Sequence, residues 1–368
     1  MRPVASWHST KKSFSTSCRS RGRCSMVKSP PSLTLLLAAA LAVVPATLHG
    51  AKKKAPVTRI EPAAAKKAAP RPRRAPASPT KRPPPAALTD PAMNALPGAP
   101  VLPAATPRPR MEDLAQILAA SETAGLPLAA RGAIVIDAHT GAALYEKNAD
   151  EPQFPASTTK ILTALLVIEA GDLDREIECT LEDSKVGESS LYLKPGQRYT
   201  RRQMLYGLML KSANDVAHAL GRDNAGSAAA FAEKMTRRAA ELGAKTAHFT
   251  NANGLHDLVH YCSPRDLALI SRAAMQQPLF RQIVSTPSYH WLGADGVAIP
   301  LSNHNRMLQR FPGCTGVKTG YTRPAMQVLV SAALRDGREV ISVVMHTDKP
   351  GIWDDSTLLL SYGLRPKR

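Results

Sequence analysis

Residues 51–110 contain 15 of the chain's 31 prolines, with Ala, Lys and Arg filling most of the gaps. Proline donates no backbone hydrogen bond, and no hydrophobic period survives across the stretch, so it cannot bury a core. It reads as an extended spacer with a reach on the order of 100 Å, at ~3.1 Å per residue in polyproline conformation. Of the 368 residues, only 111–368 are left to fold, and they suffice for one large domain with extensions before it.

The same boundary accounts for the formal charge of +19. Residues 1–50 hold seven Lys/Arg and no acid, and residues 51–110 hold thirteen against two, which leaves +1 for residues 111–368. A nucleic-acid-binding fold carries its charge on a structured face, so no nucleic acid is expected as a partner. The basic spacer suits attraction to an anionic envelope polymer or membrane surface, and equally a solubilising tether. Residues 33–48, LTLLLAAALAVVPATL, are apolar between Lys28 and Lys52. They fall short of the about 20 residues a span needs and match a signal-peptide core with cleavage near Gly50 and Ala51. A start at Met26 would give a well-formed signal, and an uncleaved anchor is the alternative. The expected organisation is an extension and signal over 1–50, a linker over 51–110 and an exported domain over 111–368. Of five cysteines, Cys179, Cys262 and Cys314 fall in the domain, with neither a disulfide framework nor a CxxC metal spacing.

Within the domain, RGAIVIDAHTGAALYEKN at 131–148 predicts two strands around a turn at Asp137–Gly141. Residues 157–171 predict a helix that is apolar nearly all round and therefore central. Thr200 and Gln203 form a capping-box pattern, residues 228–244 have helical spacing, and Ser263-Pro264-Arg265-Asp266 opens a further helix. QVLVSAALRDGREVISVVMHT predicts a hairpin turning at Asp336-Gly337, and a last helix is expected to be capped near Asp354 or Asp355. Strands at both ends and helices between them predict an α/β (α+β) architecture, one antiparallel sheet made from the two ends beside a helical subdomain.

Lys160 stands at the head of that apolar helix, three residues after Ser157. A buried lysine costs several kcal/mol unless it is paired or neutral. Spaced i and i+3, the two share a face. Neutral, Lys160 can serve as the base that a weak serine nucleophile needs. Ser157 in the first turn would also profit from free N–H groups and the helix dipole. Alone, S-x-x-K is a weak signal. Downstream come Ser212-Ala213-Asn214 as S-x-N and Lys318-Thr319-Gly320 as K-T-G, and the three in this order form the signature of penicillin-recognising serine acyltransferases.

FPASTTK, SSLYLKPGQ, LMLKSANDVA, NGLHDLVHYCSPRDLA, LSNHNRML and GVKTGYT together resemble the D-alanyl-D-alanine carboxypeptidase branch of these enzymes, over roughly 125–365. The resemblance implies a β-lactamase/transpeptidase-like fold, no cofactor, peptidoglycan stem peptides as substrates and β-lactams as acylating inhibitors. It implies Ser157 as nucleophile, Lys160 as its base and Ser212 as proton relay. Asn214 would hold the substrate amide, and Lys318 and Thr319 the terminal carboxylate, with Lys318 also keeping Lys160 uncharged. Gly320 would let substrate backbone lie along the strand edge, and the N–H groups of Ser157 and Tyr321 would form the oxyanion hole. After K-T-G-Y-T the family usually has an Ala-Gly pair, where this chain has Ala325-Met326. D,D-endopeptidase action on cross-links is the alternative activity.

Three other readings fare worse. A class A β-lactamase adds a water-activating glutamate in an E-x-x-L-N loop, and between Asn214 and Lys318 only Glu233 and Glu241 occur, both on a helical pattern. His256-Asp257-Leu258-Val259-His260 resembles H-E-x-x-H, but the flanking Asn253-Gly254 and Ser263-Pro264 predict a loop where zinc needs a helix. A non-catalytic wall-binding protein has no need of all six polar motif residues.

Overall fold

The computed structural model describes residues 113–366; the expected signal segment and the proline-rich linker lie outside the described residues. Helix α1 (Leu114–Ala124) leads into strands β1 (Gly132–Asp137) and β2 (Ala143–Lys147). Their turn is held by Asp137 Oδ1, which accepts from His139 N and Thr140 N at 3.1 and 2.9 Å. The middle of the chain is helical: α2 (Lys160–Glu169), α3 (Leu181–Ser184), α4 (Arg201–Tyr206), α5 (Asn214–Ala225), α6 (Ala228–Glu241), α7 (Pro264–Met275) and α8 (Pro278–Ser285). Two short hairpins interrupt it, β3 (Glu176–Glu178) with β4 (Arg198–Thr200) and β5 (Ser288–Leu292) with β6 (Ala298–Ser302). After α9 (Met307–Arg310) come β7 (Cys314–Thr322), β8 (Met326–Arg335), β9 (Arg338–Thr347) and the closing helix α10 (Gly351–Gly363).

The two ends of the domain meet in one antiparallel sheet of order β2-β1-β9-β8-β7, with β1 paired to β9 from Gly132↔Met345 to Asp137↔Val340. Side chains alternate across it. Ile134, Ile136, Val330 and Val343 face the helical core, whereas Ala133, Val135, Leu329 and Val344 face a second core under α10. With both faces covered, β1 and the centres of β8 and β9 read as near-continuous apolar runs. Strand β7 lies at one edge of this sheet. Helix α2 is buried from Lys160 to Val167, as its all-round apolar pattern predicts.

The capping boxes at Thr200/Gln203 and Ser263/Asp266 form as expected. The hairpin at Asp336-Gly337 has φ of 50° and 75°, the left-handed pair a tight two-residue turn requires. Three local features differ from the sequence expectation. Residues Ala156–Thr159 form a 3-10 turn, and the α-helix begins only at Lys160. After α4 the chain widens into a π-helical turn at Gly207–Lys211 and stops at Ser212, with φ of 63°. The last helix begins at Gly351, where Asp348 Oδ1 accepts from Gly351 N at 2.7 Å. Asp355 does not cap it: its carboxylate reaches across the domain to Ala129 N and Ala130 N at 3.1 and 2.8 Å. Among the described residues no helix is long and apolar enough to cross a membrane.

Candidate active site

The 3-10 turn at Ala156–Thr159 sets Ser157 just before the buried helix, and Lys160 follows as the first helical residue. Lys160 is fully buried, with Nζ 3.1 Å from Ser157 Oγ, 2.7 Å from Asn214 Oδ1 and 2.6 Å from Asn253 O. Burial pushes its pKa well below the ordinary lysine value, and the nearby positive charge of Lys318 lowers it further. The spacing of Ser157 and Lys160 thus does place both on one face, through a tighter turn than the α-helix expected.

Lys318 is also buried, on β7. It donates to Ser212 Oγ at 3.0 Å and to Thr319 O at 2.8 Å, and burial brings its pKa down to about 7. The left-handed backbone at Ser212 ends the π turn so that Ser212 stands buried beside Lys318 while Asn214 begins α5 beside Lys160. Thr319 is half-buried and the Tyr321 side chain is exposed.

Gly320 carries a constraint that the sequence did not show. A Cβ there would lie 2.9 Å from Ser157 N and 3.1 Å from Pro155 O and Thr158 N. The backbone of the serine turn fills the place a side chain would take. This contact brings the amide of Ser157 against the Gly320–Tyr321 stretch of β7. The Asn214 carboxamide also has partners within the protein, Oδ1 accepting from Lys160 Nζ and Nδ2 donating to Gly187 O at 3.0 Å.

Sequence reasoning missed Asn253, because it acts through a backbone carbonyl and that carries no residue signature. Its loop is pressed onto the serine turn: Thr163 Oγ1 donates to Ala252 O at 2.7 Å, and a Cβ on Gly254 (φ 81°) would fall 1.8 Å from Ala156 O. Part of the motif NGLHDLVHYCSPRDL belongs to this clamp. Thr250 N donates to His260 Nδ1 at 3.1 Å, so the ring proton sits on Nε2, 2.9 Å from Thr159 Oγ1. Burial lowers the His260 pKa to about 4. Both ring nitrogens are therefore engaged. His256 is exposed, edge-on to Phe154, and no group among the described residues has the make-up of a metal site. The segment is a loop, and the zinc-peptidase reading loses its helix.

Glu233 and Glu241 both lie on α6 and pair with Arg237 and Arg238, which leaves the hydrolytic-glutamate reading without its residue. Cys314 is a half-buried thiol whose Sγ lies 3.2 Å from Gly316 O, with its pKa raised by burial to about 11.

A serine at a buried amine, a second buried lysine at a second serine, and a glycine edge pressed onto the serine's own backbone make an acyl-transfer site. Comparison with known proteins agrees with it. The family model for D-alanyl-D-alanine carboxypeptidase matches residues 119–349. The D-alanyl-D-alanine carboxypeptidase DacB2 of Mycobacterium tuberculosis is 36% identical over 236 residues, covering 62% of this chain and 80% of that protein. DacF of Bacillus subtilis is 33% identical, covering 62% of this chain and 60% of that protein. Among solved structures, the DD-transpeptidase of Streptomyces K15 superposes with a TM-score of 0.61 at 33% identity, over 64% of this chain and 97% of that one. A D-alanyl-D-alanine carboxypeptidase from M. tuberculosis gives 0.62 at 35%, over 65% and 93%. With the three motifs assembled around one serine and a family model spanning most of the described domain, the chain belongs to the D-alanyl-D-alanine carboxypeptidase family.

Proposed function

We propose that the protein is an exported serine D-Ala-D-Ala carboxypeptidase that trims peptidoglycan stem peptides through an acyl-enzyme and is acylated by penicillins. The observation that carries this reading is the hydrogen-bonding environment of Lys160. A neutral amine has two N–H groups and one lone pair. Asn214 Oδ1 and Asn253 O are acceptors for the two N–H groups, which leaves the lone pair for Ser157 Oγ.

Ser157 Oγ attacks the carbonyl of the penultimate D-Ala while its proton passes to Lys160 Nζ. The oxyanion develops between the N–H groups of Ser157 and Tyr321. The ammonium of Lys318, with Thr319 beside it, holds the terminal carboxylate. Ser212, bonded to Lys318, relays the proton: it gives its own to the departing D-Ala amine and takes up the one Lys160 received from Ser157, so that Lys160 is neutral again before water enters. Asn214 first serves to orient Lys160, and contact with a substrate amide is its secondary role. Water then hydrolyses the acyl-enzyme. Cross-linked peptides would pass through the same intermediate, and digests of isolated muropeptides separate the two substrate classes. The apolar run at 33–48 and the basic residues of 51–110 support export and retention near anionic wall or membrane polymers.

The test is D-alanine release from a pentapeptide ending in D-Ala-D-Ala, with the purified protein, with Ser157→Ala and with EDTA. The reading requires release that survives EDTA and disappears in the variant. Release that persists in Ser157→Ala, or that EDTA abolishes, would overturn it.

A further inference from the structure

Lys160 can offer its lone pair to Ser157 only while Asn214 turns its oxygen, not its nitrogen, toward the amine. A carboxamide is nearly symmetric in shape, so something must sort its two ends. Gly187 O does so directly by taking Asn214 Nδ2 at 3.0 Å. Gly187 belongs to no helix or strand, and a second backbone bond, Asn214 N to Ser189 O at 2.7 Å, shows the same loop lying along the start of α5.

The loop is held by the next residue in the chain. Asp215 is fully buried, and its carboxylate accepts from Ser190 Oγ at 2.5 Å, from Leu191 N at 3.1 Å and from Leu193 N at 3.1 Å. Its Oδ1 also accepts from Val216 N at 2.9 Å. Ser189 Oγ adds a bond to Lys211 O at 2.8 Å, tying the loop to the π turn before Ser212. Two residues of the loop, Glu188 and Tyr192, sit at φ of 66° and 59°. A path through left-handed positions persists only where its surroundings over-determine it, and the Asp215 carboxylate ties down Ser190, Leu191 and Leu193 at once.

We infer that Asp215 is a positioning residue for acylation: by clamping residues 187–193 it fixes the Asn214 carboxamide with Oδ1 on Lys160. The inference rests on the role of Lys160 as base. Asp215 directly follows the motif asparagine, and nothing in the sequence marks it as buried.

The test is a double-mutant cycle on the full chain, read as the rate of acylation by a fluorescent penicillin. Asp215→Asn keeps the shape but points N–H groups at N–H groups. It is expected to slow acylation about 10- to 100-fold, the scale of a misplaced reacting group, with the prior binding constant nearly unchanged. If Asp215 acts through Asn214, Asn214→Ala/Asp215→Asn will be no slower than Asn214→Ala alone. A general loss of folding would instead slow both backgrounds equally. Ser190→Ala, which removes one donor and leaves the carboxylate, should repeat the pattern at several-fold size, and it replaces Asp215→Asn in the cycle if that variant fails to fold. Additive effects, or unchanged acylation in Asp215→Asn, would overturn the inference. Lys160→Arg run beside them keeps the two questions apart: retained acylation there defeats the base assignment, while loss there with an additive cycle defeats only the clamp.

Discussion

The α2 base and the β7 edge each bury one lysine against a serine, and the two are not equivalent. Lys160 lies among a hydroxyl, a carboxamide oxygen and a backbone carbonyl, and its pKa is driven far down by burial and then by its neighbour's charge. Lys318 lies against Ser212 and its own strand's Thr319 carbonyl, and burial alone takes it to about 7. Burial disfavours the charge on both; the proximity of a second ammonium ensures that they cannot both keep it cheaply. One proton between two amines would leave the proposed base at the helix and a cation at the strand, the pairing that the proposed acyl transfer on a carboxylate-bearing substrate needs.

Arginine substitution separates the two regions most sharply. Lys160→Arg should lower acylation by at least about 10³-fold, since a guanidinium cannot accept the proton. Lys318→Arg keeps the charge and should retain measurable turnover. Lys318→Ala should cost roughly 10- to 150-fold, mainly in KM, the size of a lost charged hydrogen bond at about 1.5–3 kcal/mol. Equal losses in the two arginine variants would erase the distinction.

The pH dependence of kcat/KM tests the same contrast. On the acid side activity falls as Lys160 gains its proton. On the alkaline side it falls as Lys318 loses its charge, from about pH 7 upward in the free enzyme. Bound carboxylate favours the charged form of Lys318, so the alkaline limb of kcat must lie at higher pH than that of kcat/KM. Coincident alkaline limbs would detach Lys318 from the carboxylate.

The contact between the two regions is Gly320. Gly320→Ala forces a Cβ to within 2.9 Å of Ser157 N and should cost about 1–3 kcal/mol in thermal or urea unfolding, together with slower acylation. The smallest effect is expected at Met326, where the family's usual glycine is missing. Met326 opens β8 at φ of 56°. Met326→Gly relieves about 1 kcal/mol of left-handed strain and gives back part of it in unfolded-chain entropy, so a slight rise in Tm is expected.

How much of this was legible in the sequence depends on what carried each feature. Ser157, Lys160, Ser212, Asn214 and Lys318 could be found because side-chain chemistry at short fixed spacing survives in a string of letters. The sheet could be assembled from its ends because period-2 runs and an Asp-Gly turn are local signals. Features made by long-range contacts were not legible. Asn253 contributes a carbonyl, Asp355 ties off Ala129 and Ala130 more than 200 positions away, and the reason for Gly320 is a turn 163 residues earlier. The departure of the serine turn from α to 3-10, and of Gly207–Lys211 from α to π, likewise follows from what packs against them rather than from propensity.

The most direct measurement is the charge on Lys160, read from the lysine 13Cε and 15Nζ NMR shifts at pH 8 in the penicillin-free protein, with Lys160→Arg to assign the signal. The account predicts neutral-amine shifts for a lysine whose signal is absent from Lys160→Arg, distinct from the signal of Lys318, whose pKa burial brings to about 7. If Lys160 carries the shifts of an ammonium at that pH, it cannot take the proton of Ser157, and the proposed mechanism is wrong.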